Sequence, residues 1–99
     1  MTITIAVTGH GVHDCLVVSD QAKEAVRIGF NPSAIPDVDR IKALTGGLLT
    51  LLYQLQAAKP EAGREFAKAI TEVQDASMWA VLAAMKGVGV AQAAQGDGK

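Results

Sequence analysis

Two groups of side chains in this chain have types and spacing that suggest chemistry. The first is His10, His13, Asp14 and Cys15. Imidazole and thiolate are good zinc ligands, and a thiolate beside an imidazole is a nucleophile in waiting. The spacing matches no standard metal motif, and no other Cys or His stands elsewhere to complete a ligand set. A nucleophilic Cys15 would need a framework that fixes it against His10 or His13, and polar loop residues are the simpler reading. Gly9-His10-Gly11 lacks the third glycine and the following helix of a dinucleotide fingerprint. The second group is cationic: Arg40, Lys42, Lys59 and Arg64. Lys42 sits about one turn into a helix that opens after a Pro-rich connector. Helix N-termini favour anions, so this position suits a phosphate. Phe30, just upstream, can stack on a base or pin a short helix to its neighbour. Asp37, Asp39, Glu61, Glu65, Glu72 and Asp75 fall at offsets expected of solvated helix faces.

The elements that must hold these residues follow from periodicity. Residues 37–58 and 61–86 are two long runs with helical spacing, joined through Ala58-Lys59-Pro60. Val38, Ile41, Leu44, Leu48, Leu51, Leu52 and Leu55 form one apolar seam in steps of three and four. Gly46-Gly47 interrupts the first run, marking a kink or a close approach by another group. Phe66, Ile70, Val73, Ser77, Ala80 and Ala84 form the second seam, while Met78, Trp79, Leu82 and Met85 carry apolar character to another face. One hairpin partner covers only one seam, so the second face argues for subunit contact. Gly87-Val88-Gly89 reads as the stop, with a small, polar tail beyond it.

Upstream, Ser19 or Asp20 caps a short helix through Ala22, Val26 and Ile28, with Gly29 as its stop. Residues 2–8 alternate Ile3, Ile5 and Val7 with Thr2, Thr4 and Ala6, a strand pattern that Gly9 and Gly11 end. Only Leu16-Val17-Val18 offers a second strand, so intermolecular pairing or a frayed arm is expected equally. The fold class expected is mainly α: a short helix, then a long kinked antiparallel helical hairpin, assembled as a homo-oligomer, with one short N-terminal strand. The expected organisation is an extension at 1–18, the hairpin domain at 19–86 and a tail at 87–99.

Composition narrows the function classes. Nine basic against ten acidic residues give a net charge of −1, which offers no basic excess for a DNA backbone. The single cysteine forms no internal disulfide and suits a reducing cytosol. No Lys or Arg precedes Lys23, unlike the charged start of a signal peptide, and no apolar run reaches the roughly 18–20 residues of a membrane span. The residues themselves leave three classes open: a ligand-binding protein, a helical module for protein partners, and a small hydrolase or metal enzyme built on the head.

A resemblance separates these classes. Phe30-Asn31-Pro32-Ser33, then Val38-Asp39-Arg40-Ile41-Lys42-Ala43-Leu44, Arg64, Ala69-Ile70-Thr71-Glu72 and Ala76-Ser77-Met78-Trp79-Ala80-Val81 together resemble the hairpin domain of the phage anti-CBASS and anti-Thoeris nucleotide sponges. The likeness covers roughly residues 19–86. It implies a non-enzymatic protein, without cofactor or metal, acting in the cytoplasm of the infected bacterial host. Such proteins sequester cyclic oligonucleotide immune signals. Cyclic dinucleotides such as cGAMP lie in pockets between protomers of a compact homo-hexamer, and in some members cyclic trinucleotides occupy a separate site. The resemblance puts Lys42 against a ligand phosphate and Phe30 against a base. It makes Asn31, Ser33 and Thr45 hydrogen-bonding candidates, with Arg64 and Thr71 behind them. Two departures stand out: Phe-Asn-Pro-Ser replaces an Arg-Gly-Tyr-Arg type connector, and residues 1–18 are an added extension.

Overall fold

The computed structural model describes residues 2–86. In chain order they form strands β1 (Thr4–Gly9) and β2 (Val12–Val17), helix α1 (Asp20–Ala25), helix α2 (Pro36–Ala58), a 3-10 turn (Pro60–Ala62) and helix α3 (Gly63–Met85). The expected stop at Gly87-Val88-Gly89 and the tail lie outside the described residues.

The N-terminal segment is neither a lone strand nor a frayed arm. β1 and β2 pair antiparallel, from Thr4 opposite Val17 to Gly9 opposite Val12. Gly11, at φ 74°, supplies the left-handed residue that the tight reversal needs. The absence of alternation along β2 hid it from periodicity, because His13, Asp14 and Cys15 are all exposed. A two-stranded ribbon is marginal by itself, and this one gains support by packing on α2. A Cβ on Gly47 would stand 2.8 Å from Ile5 Cγ1, and one on Gly46 would stand 3.1 Å from Val18 Cγ1. The glycine pair therefore serves close approach, and α2 continues as helix through it.

α1 is shorter than its apolar spacing suggests. Ser19 caps it, its Oγ accepting from the Ala22 N–H at 3.1 Å. The helix stops at Ala25, well before Gly29. The Ile28 N–H donates to the Lys23 carbonyl and the Arg27 N–H to the Glu24 carbonyl. This is a Schellman closure with Arg27, at φ 55°, in the left-handed position usually given to glycine. Ser19→Ala should cost about 1 kcal/mol. A shift in the urea midpoint at constant m-value measures it.

The core is small: Val18, Ala22, Val26 and Leu49, flanked by Ile3, Ile5, Tyr53, Ile70 and Val73. The two long helices run antiparallel, tied by a Thr45–Ser77 hydroxyl contact at 3.2 Å and by Gln56 Nε2 donating to the Gly63 carbonyl at 3.2 Å. The expected α2 seam is corrected in part. Leu44 and Leu48 are exposed, at 61% and 44%, whereas Val38, Lys42, Gly46, Gly47, Leu49 and Thr50 are buried. The buried stripe of α2 must admit both the ribbon and α1 at close range, so it uses small residues and leaves two leucines outside. On α3, Met78 and Trp79 are each 68% exposed and Leu82 is 48% exposed. The Cα radius of gyration is 16.0 Å, against about 13 Å for a compact 100-residue domain. The described residues leave apolar faces on both long helices uncovered. No helix among the described residues is long and apolar enough to cross a membrane.

Candidate ligand site

The connector between α1 and α2 is built to a fixed shape. Asn31 Nδ2 donates to the Ile35 carbonyl at 2.8 Å, and the Ile35 N–H donates back to Asn31 Oδ1 at 3.2 Å. The Ala34 N–H closes a turn onto the Asn31 carbonyl at 3.0 Å, with Ala34 itself at φ 52°. An asparagine that accepts and donates across four residues is a local bracket. Pro36 then opens α2 at its first turn, where a missing N–H costs nothing.

Lys42 lies behind this bracket, nearly two turns into α2. Its side chain is buried, and its ammonium donates to the Arg27 carbonyl at 2.9 Å and to the Phe30 carbonyl at hydrogen-bond distance. Two of its three N–H groups are thus committed to the connector. Burial, then the nearby Arg27 charge, hold its pKa below the usual lysine value, with Asp39 acting the other way. Phe30 is half-exposed above it. Arg27 Cζ lies 4.4 Å and Lys42 Nζ 5.5 Å from the Phe30 ring centroid, both within cation–π range.

Two cavities meet at this point. A small one of about 40 Å³ is lined by Phe30, Asn31 and Ser33 of the connector, Lys42 of α2, and Val81 and Met85 of α3. A larger one of about 360 Å³ opens between the end of α1 and α3, with Arg27, Phe30, Lys42, Asp75, Ser77 and Met78 in its walls. The structure therefore brings Phe30, Asn31, Ser33 and Lys42 together. Thr45 supports the floor. Its hydroxyl donates to the Ile41 carbonyl at 2.8 Å and meets Ser77, a wall residue.

Arg64 and Thr71 are not part of this cluster. Arg64 starts α3 at the opposite end of the hairpin, thirteen residues from Ser77, about 20 Å along the helix. Thr71 is exposed and its hydroxyl donates to the Ala67 carbonyl at 3.1 Å. In a single copy these two residues stand apart from Lys42. In the head, strand alternation puts His13 and Cys15 on one face of β2 and Asp14 on the other. Among the described residues no group of three His, Cys, Asp or Glu gathers to hold a metal.

Sequence reasoning missed Arg27, Gln74, Asp75 and Ser77 as cavity residues. Arg27 reads as a helix-end cation, and nothing local reveals that the chain bends at it. The α3 residues join the site only through the hairpin register.

A short capped helix, a bracketed connector and an antiparallel hairpin enclosing a cavity with two cations and an aromatic ring define a small helical binding domain. The Acb2/Tad1 hairpin-domain family matches residues 21–85, and the chain belongs to that family, the anti-CBASS/anti-Thoeris sponges. Membership implies sequestration of cyclic oligonucleotides, and the family is one of binding proteins. No curated protein and no solved structure matches the chain.

Proposed function

We infer that this protein sequesters cyclic dinucleotide immune signals without cleaving them, in the cytoplasm of an infected bacterium, and so blunts anti-phage defence. The observation that carries this reading is the half-exposed Phe30 ring over the buried Lys42, inside the segment that the sponge family matches. Phe30 stacks on a base. Lys42 uses its remaining N–H for a phosphate, and Ser33 donates at the connector. Stacking contributes about 1–3 kcal/mol per base. The cavity volume of about 360 Å³ falls at the low end of small-molecule sites, about 300–1,000 Å³.

The rest of the enclosure comes from neighbouring copies. Met78, Trp79 and Leu82 present an apolar face beside the cavity mouth, and we take it as the contact surface of a homo-oligomer, a hexamer in the family's manner. Arg64 and Thr71, remote from Lys42 in one copy, belong to a second ligand contact in that assembly. Cyclic trinucleotides are candidate occupants there. A second reading draws on the same apolar face: a helical module that binds protein partners only.

Heat release separates these readings. Protein is mixed with 3′,3′-cGAMP, passed through a filter that retains protein, and the retained fraction is heated. The expected result is depletion of the nucleotide and its recovery intact. Cleaved nucleotide indicates an enzyme, and absence of depletion leaves the protein-partner module.

A further inference from the structure

We propose that Arg27 is a second phosphate-binding residue of this site, and that Lys42 acts also as the positioning residue that aims it. The proposal rests on the sequestration reading above and extends it to the anionic part of the ligand.

The backbone supplies the first reason. Arg27 occupies the left-handed C′ position of the Schellman closure at φ 55°. Glycine takes that place without steric cost, whereas other residues are strained there. Strain kept at one residue points to a use for its side chain. No helix interior or core contact requires an arginine here, because the residue is exposed.

The guanidinium supplies the second reason. It lies over the Phe30 ring and lines the larger cavity together with Lys42. Among the described residues no ion pair holds it: the ion pairs there join Lys23 to Asp20, Arg40 to Asp37 and Lys68 to Glu72. A cation–π contact over the ring leaves the other in-plane donors of the guanidinium available to phosphate oxygens.

Charge balance supplies the third. The cavity wall carries Asp75 as well as Lys42. Without Arg27 those two cancel and the pocket gives no preference for an anion. With Arg27 it is net positive. A cyclic dinucleotide brings two phosphates, and Lys42 has one uncommitted N–H. A second donor set is what the ligand chemistry lacks, and Arg27, lining the same cavity as Lys42, supplies one.

Lys42 links the two roles. Its ammonium grips the carbonyls of Arg27 and Phe30, the very residues whose side chains form the cation–aromatic pair. It therefore fixes the backbone from which both side chains project.

Titration calorimetry with 3′,3′-cGAMP on wild type, Arg27→Gln and Arg27→Gly tests this. The expected result is at least tenfold weaker binding in both variants and a shallower dependence of affinity on salt, with Arg27→Gly keeping wild-type helical circular dichroism because glycine suits that backbone. If Arg27→Gln misfolds, Arg27→Gly decides. Wild-type affinity and salt dependence in a folded variant overturn the Arg27 role while leaving sequestration standing. Failure of wild type itself to bind overturns sequestration, and the proposal with it.

Discussion

Lys42→Ala should both weaken cyclic-dinucleotide binding by about tenfold to hundredfold and loosen the connector. Hydrogen bonds to charged groups contribute about 1.5–3 kcal/mol, and each 1.4 kcal/mol is about tenfold in Kd. The structural part of the effect comes from the carbonyls of Arg27 and Phe30, which lose the ammonium that satisfies them. Amide hydrogen exchange should rise at Phe30 and Ala34, while the long helices stay protected. Titration calorimetry reads the affinity. An unchanged Kd alongside faster exchange would confine Lys42 to structure and remove it from the ligand.

The same residue gives a pH dependence with opposed signs. Burial holds the folded-state pKa of Lys42 below the ordinary value it has in the unfolded chain. Between those two values the unfolded chain binds more protons. This group's contribution to stability therefore rises as pH climbs through the folded pKa. Ligand affinity moves the other way, because a neutral amine no longer attracts phosphate. Binding should fade at alkaline pH before ordinary surface lysines lose charge.

The second large effect is expected at Gly47→Val. A Cβ added there would stand 2.8 Å from Ile5 Cγ1 and 3.4 Å from Ile5 Cβ, so a branched side chain must push β1 off α2. Overpacking of this kind costs about 1–3 kcal/mol, and each kcal/mol is about 4–8 °C in Tm for a domain of this size. Differential scanning calorimetry measures the loss. Exchange protection in β1 and β2 should fall more than protection in α3. A variant that melts like wild type would mean that the ribbon does not depend on the glycine pair.

The parts legible in sequence were those governed by one local rule. Helical spacing located both long helices to within a few residues, the cap was narrowed to Ser19 or Asp20 and proves to be Ser19, and the α3 seam of Ile70, Val73 and Ser77 faces inward as its period predicts. The parts that were not legible depend on two elements at once. The buried stripe of α2 contains Lys42, Gly46, Gly47 and Thr50, none of which reads as core. Their burial follows from the ribbon and α1 lying directly on them, and Leu44 and Leu48 are left outside as a result. β2 carries exposed polar residues at successive positions, so no alternation announces it. The stop of α1 at Ala25 was hidden because the left-handed residue that closes it is Arg27, not the glycine two positions later.

The candidate site divides along the same line. Phe30, Asn31, Ser33 and Lys42 are close in sequence, and the connector brings them together. Asn31 turns out to spend its amide on Ile35, holding the connector in shape. Arg64 and Thr71 were grouped with Lys42 by resemblance, and the hairpin register separates them within one copy. Only an assembly brings distant ends of different hairpins near one another. The exposed apolar faces of α2 and α3 are the surfaces on the described residues through which such an assembly would pack.

A sponge acts by mass action, so its worth lies in tight binding of intact ligand by many copies. Native mass spectrometry of the protein with 3′,3′-cGAMP examines both requirements in one spectrum. The expected spectrum contains a homo-oligomer carrying unmodified nucleotide, with the ligand mass retained after gentle activation. A spectrum dominated by single chains, with all nucleotide free or cleaved, would contradict sequestration between copies.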